Sequence, residues 1–337
     1  MMRGRRRWTL ALVVALGVGP LCGAPVALAD PPEPITIPVG DSPWGVALHP
    51  SAPRLYVANY GSDTVSVIDT DRNAVIATIG MRTDPNERVL PIDIALSPSG
   101  DRAYVAMPNS NQLGVLDTRS NTLLRAVPIS TDPNNRAIPN GVAVAPDGSR
   151  IYLSNTGTDV VYVLDAATLE ALPPIPLEQS AAPVDVTLTP DGTRLYSADI
   201  NTDEISIIDP ATGTVLTTVA AGKDPKAVAI GPGGLLYVPN SFSDDVTVID
   251  PESATVVATV PVGDDPSDAT ARGDRVYVAE GLQEHAVSVI DARTQTVVRT
   301  IPIEKGARGI TSSPDTLYVA GDRPEEPGFV TVLPLPR

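Results

Sequence analysis

Leu55-Tyr56-Val57-Ala58-Asn59, followed shortly by Val65-Ser66-Val67-Ile68-Asp69, decides the fold of this chain, because the tyrosine-centred stretch returns six more times. The other copies are Ala103-Tyr104-Val105-Ala106-Met107, Ile151-Tyr152-Leu153-Ser154-Asn155, Leu195-Tyr196-Ser197-Ala198-Asp199, Leu236-Tyr237-Val238-Pro239-Asn240, Val276-Tyr277-Val278-Ala279-Glu280 and Leu317-Tyr318-Val319-Ala320-Gly321. Their tyrosines are 48, 48, 44, 41, 40 and 41 residues apart, the period of a four-stranded propeller blade. Each unit is a Pro-led apolar strand, a hairpin, the tyrosine strand and an alternating strand ending in Asp. The runs are short, rich in Val, Ile, Thr and Tyr, and separated by turn residues such as Pro98-Ser99-Gly100, Pro146-Asp147-Gly148 and Pro190-Asp191-Gly192, which are strand and hairpin signals. Amphipathic helical periodicity is nearly absent; residues 165–172 approach it most closely and coincide with a turn of the other repeats. The expected fold is all-β, a seven-bladed β-propeller.

With the strands named a to d, repeat six reads as 268–271, 275–280, 286–290 and 296–301. Repeat seven has no strand d after Val330-Thr331-Val332-Leu333. The missing piece is at the other end of the chain. Ile35-Thr36-Ile37-Pro38-Val39-Gly40 matches the d strand Val257-Ala258-Thr259-Val260-Pro261-Val262-Gly263, so the N-terminal strand is expected to complete the last blade and leave no sheet edge bare.

This pattern closely resembles the YVTN-repeat β-propellers, from residue 35 to residue 333. The resemblance implies a seven-bladed wheel of the kind found in surface-layer, envelope and periplasmic proteins and in lactonase-like or cofactor-dependent relatives. It does not imply one activity.

Residues 1–29 differ from the rest. Arg3, Arg5, Arg6 and Arg7 precede an apolar run over 8–21, and Ala27-Leu28-Ala29 follows, the layout of a secretory signal peptide. Residues 30–337 then form the single propeller domain of an exported protein, periplasmic, in the cell envelope or extracellular. The arginines also resemble a twin-arginine signal, and Gly19-Pro20-Leu21 before Cys22 does not suit a lipid anchor. Cys22 is the only cysteine, so the mature part has no disulfide or thiolate chemistry. Loss of the leader removes four arginines and no acids and takes the net charge from −16 to −20. Such a surface repels phosphate backbones and anionic lipid. The expected partner is a protein or small-molecule ligand, not nucleic acid. No span of the mature part reaches the roughly 20 apolar residues a membrane helix needs, and a monomer is expected.

A residue present in nearly every blade serves the blade; a functional site should break the repetition. The tyrosines are therefore structural. So are Asp69, Asp117, Asp165, Asp209, Asp250 and Asp291, which close strand c before a turn where Asp accepts backbone N–H bonds. Pro43, Pro91, Pro139, Pro183, Pro225 and Pro266 read as the starts of strand a. The d-a and b-c loops share one face of the wheel. There the blades differ, in Trp44-Gly45, Ile92-Asp93, Asn140-Gly141, Val184-Asp185, Lys226-Ala227, Ser267-Asp268 and Arg308-Gly309. The ends of strand b add Asn59, Met107, Asn155, Asp199, Asn240, Glu280 and Gly321. Together they read as a polar ring at the channel mouth.

Two readings of that ring stand. Asp185, Asp199, Asp268 and Glu280, with Asn155 and Asn240, are the oxygen donors that Ca²⁺ or Mg²⁺ prefers; alternatively the strand-end Asn and Asp cap loops. Trp44 either stacks on a ligand or fills a gap between blades. Lys226 and Arg308 either orient a carboxylate or are solvated loop charges. Two long d-a loops, at 83–91 and 131–139, place Arg88 and Arg136 on the same face as a partner-recognition rim, although duplication of one blade would also explain their likeness. His49 and His285 lie on opposite faces and cannot share a site, which excludes a Ser-His-Asp triad and a two-His metal centre. His285 could act only as a lone base. The function expected is a binding or scaffold propeller, acting through the d-a/b-c loop face with Asp93 among its contacts. The alternative is a metal-assisted, lactonase-like hydrolase with Asp199 or Glu280 as base.

Overall fold

Each repeat folds into one antiparallel sheet because its strands alternate apolar residues at two-residue spacing and are joined by turns too short for a crossover. The computed structural model describes residues 33–130, 137–281, 285–304, 306–322 and 326–335. The leader at 1–29, with Cys22 and the paired arginines, lies outside them, as do residues 131–136 with Arg136. Pro32–Arg337 is one compact unit, and it contains seven four-stranded sheets, six with their strands in chain order and one that takes Ile35–Pro38 as its outer strand. Among the described residues the one helical segment is a 3₁₀ turn, Pro232–Gly234, and no helix is long and apolar enough to cross a membrane.

Blade 1 is typical, with strands Pro43–Leu48, Arg54–Asn59, Thr64–Asp69 and Ala74–Gly80. Strand b is buried from its second residue onward, whereas strand d carries only one buried residue. At six of the seven seams, all but that between blades 4 and 5, strand a contacts strand a of the next blade, so these strands surround the axis and the d strands form the rim. In blades 1, 2, 4, 5 and 6 the pairing of c with d breaks at a fixed place, Val67/Ile68 in blade 1 and Val289/Ile290 in blade 6, and in blade 3 it breaks earlier, between Val161 and Val163. A bulge there twists the outer strand and blunts the edge.

The core is divided among the seams. Tyr56, Val65 and Val67 of blade 1 pack on Ile94, Val105 and Leu116 of blade 2, and comparable clusters fill the other seams. The recurrent tyrosines Tyr56, Tyr104, Tyr196, Tyr237, Tyr277 and Tyr318 are buried members of these clusters, which agrees with their structural reading. The aspartates that close strand c behave alike. Asp69 Oδ1 accepts the N–H groups of Asp71 and Arg72, and Asp165 Oδ1 accepts those of Ala167 and Thr168. Residues 166–170 are accordingly a turn between Val160–Asp165 and Ala171–Pro176, with Leu169 in the left-handed region at φ 64°.

Two expectations need correction. Pro91 precedes strand a of blade 2, which begins at Asp93, and Pro225 makes only an isolated bridge to Asn240. Strand a of blade 5 shrinks to Ala229–Ile230. Ring closure is as expected. Ile35–Pro38 pairs antiparallel with Phe329–Pro334, from Ile35↔Val332 to Pro38↔Phe329. Ile37 is buried with Tyr318, Val330 and Val332 of blade 7 and Leu55, Val57 and Ile68 of blade 1.

Ile37→Ala removes a buried side chain from the seam that closes the ring and should cost about 2–5 kcal/mol. Deletion of residues 33–40 should lower stability further and expose the Phe329–Pro334 edge to aggregation. Urea denaturation and light scattering check both; a truncated chain as stable and as monodisperse as the parent would refute this role for the strand.

Candidate functional site

The second residues of the seven variable dipeptides alternate around the axis: Gly45, Asp93, Gly141, Asp185, Ala227, Asp268, Gly309. The structure gives the reason. On odd blades the backbone of the next blade approaches so closely that a Cβ on Gly45 would lie 2.6 Å from Asp93 Cα, and one on Gly141 2.8 Å from Asp185 Cα. On even blades the acid reaches across the following seam. Asp93 Oδ2 accepts the Val142 N–H at 2.8 Å, Asp185 Oδ2 the Val228 N–H at 2.9 Å and Asp268 Oδ2 the Ile310 N–H at 2.8 Å. Each carboxylate thus joins two blades where a backbone ladder is impossible.

These three acids sit inside the wheel without a cationic partner among the described residues. Burial pushes Asp185 up to about 7, with the charge of Asp93 adding to the effect. Burial likewise pushes Asp268 up to about 8, helped by Asp185 and Asp93 although the Ile310 N–H pulls the other way. Asp93 is raised by burial alone against its backbone bonds. Carboxyls that titrate near neutrality can hold or release a proton at working pH, which is the property of a general acid or base and of a proton-linked binding site.

The ends of strand b do not join this ring, contrary to expectation. Asn59, Asn155, Asn240 and Glu280 are fully buried and Asp199 is 1% exposed. Asp199 accepts the hydroxyls of Ser197 and Ser206 at 2.7 and 2.6 Å; burial raises it to about 6 in spite of them. Glu280 Oε1 accepts the Gly263 N–H at 2.9 Å. Asn155 Oδ1 holds the N–H groups of Ile138 and Gly157, and the Asn240 amide donates to Asp245 and Thr247. These side chains fasten loops to their own blades. The sequence places them at strand ends; whether a strand end opens to the channel or folds back into the sheet depends on how the next loop packs.

The expected Ca²⁺ or Mg²⁺ set therefore does not assemble. Asp185 and Asp268 occupy blades 4 and 6, Asp185 with Oδ2 bound to the Val228 N–H and Asp268 with both oxygens bound to the Ala269 and Ile310 N–H groups, while Asp199 and Glu280 are enclosed elsewhere. Among the described residues no three acidic or histidine side chains converge on one point. This donor arrangement does not fit a shared divalent ion.

The remaining candidates divide in two. Trp44 and Arg308 meet across the seam between blades 1 and 7, with the guanidinium 4.8 Å from the indole centroid. Trp44 also leans on Tyr60, centroids 6.2 Å apart at 45°, and Arg308 Nε donates to Asp322 Oδ1 at 3.1 Å. On blade 5, Lys226 Nζ pairs with Asp224 at 2.7 Å and stands 5.9 Å from the Phe242 ring. Phe242, in a b-c loop, is 80% exposed. Sequence reading missed it, although a phenylalanine where the other loops carry small or polar residues is itself a break in the repetition.

Arg88 is a loop fastener. Its guanidinium pairs with Asp63, which also binds Arg82 and the N–H groups of Val89 and Leu90, and it donates to the Gly61 carbonyl at 2.6 Å. Asp63 belongs to a series the sequence analysis overlooked. Asp63, Asp159, Asp203 and Asp244 all adopt positive φ in b-c loops and accept N–H groups of the following d-a loop. The signal was an Asp just before strand c. His285 occupies the same place with φ 44°, which makes it the counterpart of a loop residue. His49, on the other face, accepts the N–H groups of Ser51 and Ala52 through Nδ1 and caps a turn.

Comparison with known proteins agrees with this architecture. Residues 86–232 match the sequence model described as Lactonase, 7-bladed beta-propeller. The match covers less than half of the chain and includes Asp93 and Asp185. No curated protein matches it. Solved structures of the same fold include hydrazine synthase of Kuenenia stuttgartiensis (TM-score 0.72, 18% identity, covering 88% of this chain and 96% of that one). A streptogramin B lyase gives TM-score 0.75 at 14% identity, over 89% and 97%. Virginiamycin B lyase from Staphylococcus aureus gives 0.75 at 16%, over 90% and 100%. At these identities the likeness is one of fold.

The raised channel acids set a pH dependence with a definite sign. An aspartate harder to ionise in the folded chain than in the unfolded one contributes stability below about pH 4 that is lost as pH rises through its folded value, here toward 7–8. Asp268→Asn keeps an acceptor for the Ile310 N–H but cannot ionise. It should raise stability at pH 9 by about 1–3 kcal/mol and change it little at pH 4. Urea midpoints at the two pH values test this, and equal effects at both would mean that Asp268 is not a buried, titrating acid.

Proposed function

We propose that this chain is an exported YVTN-type propeller that works as a binding protein through its d-a/b-c loop face. The observation that carries the reading is the concentration of irregularities there: Trp44 with Arg308, Lys226 with the exposed Phe242, and three acids in the channel beneath. Exposed aromatics beside cations offer stacking and charge together, a combination enriched at recognition surfaces. The opposite face carries turns whose polar groups cap one another, as with His49 and with Asp191, which accepts from Thr189 and Thr193. Solubility at high negative charge suits export and action outside the cytoplasm.

A second reading has its own support. Carboxyls poised near pH 7–8 in a channel, in a chain partly matched by a lactonase family model, suit general acid–base hydrolysis of a lactone or ester. In that reading Asp185 and Asp268 carry the proton transfers, in place of Asp199 and Glu280, and no step needs a metal.

The two readings part on turnover. The purified protein, offered a panel of simple lactones and esters in a pH-stat, should show no hydrolysis above the uncatalysed rate. Hydrolysis that wild type performs and Asp268→Asn loses, with folding unchanged at pH 6, would replace the binding reading with the hydrolase.

A further inference from the structure

The alternation of small residue and acid around the axis cannot close on itself, because seven is odd. Blades 7 and 1 both contribute glycine, Gly309 and Gly45, so the acid ring has one gap. That gap is the seam where Arg308 and Trp44 meet. A Cβ on Gly309 would stand 1.9 Å from the Trp44 carbonyl oxygen; only glycine allows the two backbones to approach so closely and thereby sets the indole beneath the guanidinium.

The donors of Arg308 are only partly used. Nε is bound to Asp322, whereas neither Nη group has a hydrogen-bond partner among the described residues, and the side chain is 34% exposed. The other described cations of this face are engaged differently. Arg88 and Arg82 are held by Asp63, Lys223 by Asp203 and Lys226 by Asp224. Arg308 is thus a planar fork, fixed at its Nε edge by Asp322 and stacked on an aromatic face, that presents open N–H groups at the gap in the acid ring. Such a fork matches two oxygens of a carboxylate, and the half-buried indole beside it offers a surface to a flat apolar group.

We propose that the seam between blades 7 and 1 binds a carboxylate carried on a flat ring, with the oxygens on the Nη groups of Arg308 and the ring against Trp44. This rests on the reading of the loop face as a binding surface and names the class of ligand it takes.

The chain contains two tryptophans, Trp8 and Trp44, so Trp8→Phe in the full chain leaves Trp44 emission as a direct reporter. Benzoate, benzyl alcohol and benzylammonium are titrated separately in the millimolar range. Benzoate should change the emission saturably, and the other two should bind at least roughly tenfold more weakly, because only the anion satisfies the charged fork. Adding Arg308→Lys, which keeps the charge and loses the fork, should weaken benzoate by about tenfold or more. An unchanged thermal midpoint in that variant shows that the seam is intact. Benzoate binding that survives Arg308→Lys overturns the assignment. Equal or tighter binding of the alcohol or the ammonium also overturns it, while leaving the loop face a binding surface for another ligand class. No response to any probe overturns it as well; failure of the binding reading itself is seen separately, as hydrolysis of the lactone and ester panel.

Discussion

Four backbone pairs between Ile35–Pro38 and Phe329–Pro334 hold the wheel shut, and the burial of the two blade faces that an open stack would leave wet depends on them. A blade sheet is apolar on both faces and cannot be stable alone, so each face must find a neighbour. In an open stack two faces would remain wet. Here they would be the one bearing Leu55, Val57 and Ile68 and the one bearing Tyr318, Val330 and Val332. Pairing the two ends of the chain in one sheet couples their burial to a ladder of hydrogen bonds. The entropy of closing so long a loop grows only logarithmically with its length, so the apolar area gained at the seam outweighs it.

Repetition makes the exceptions interpretable. Six aspartates at the end of strand c and four before strand c perform identical turn and loop duties, which accounts for much of the negative charge without any ligand. Asp93, Asp185 and Asp268 differ in kind. They occupy alternate blades, bond across seams and face one another without cations. Clamping two blades through a carboxylate in the wheel's interior costs part of its ionisation, and the upward shifts are the measure of that cost.

Tyrosine spacing and the likeness of residues 35–40 to strand d made blades, their number and their closure legible from the chain alone, because these depend on local periodicity and on pairs of similar strands. The site was legible only in outline. Asn155, Asp199 and Glu280 sit at strand ends exactly as far from their tyrosines as one another, and nothing local distinguishes a residue turned into its sheet from one turned to the axis. The alternation of Gly45, Asp93, Gly141, Asp185, Ala227, Asp268 and Gly309 was present in the dipeptides. Its meaning lies in which blade stands beside which, a relation that periodicity does not express. Phe242 escaped because apolar residues were sought in strands, and its exposure depends on the b-c loop carrying it outward.

The seam that closes the ring and the seam that carries Arg308 and Trp44 are the same. Arg308 and Asp322 belong to blade 7, Trp44 and Tyr60 to blade 1. A carboxylate held by Arg308 while its ring rests on Trp44 touches both sides of the only junction made by strands from opposite ends of the chain. Anything that binds the closed form and not the open one stabilises closure by an amount set by its concentration relative to its dissociation constant. Occupancy at this seam therefore acts on the whole wheel, whereas the same ligand on a single blade would act on that blade's loops alone. The closing seam is one of the four that lack the carboxylate clamp of the even blades, and a cation–aromatic stack joins its two sides.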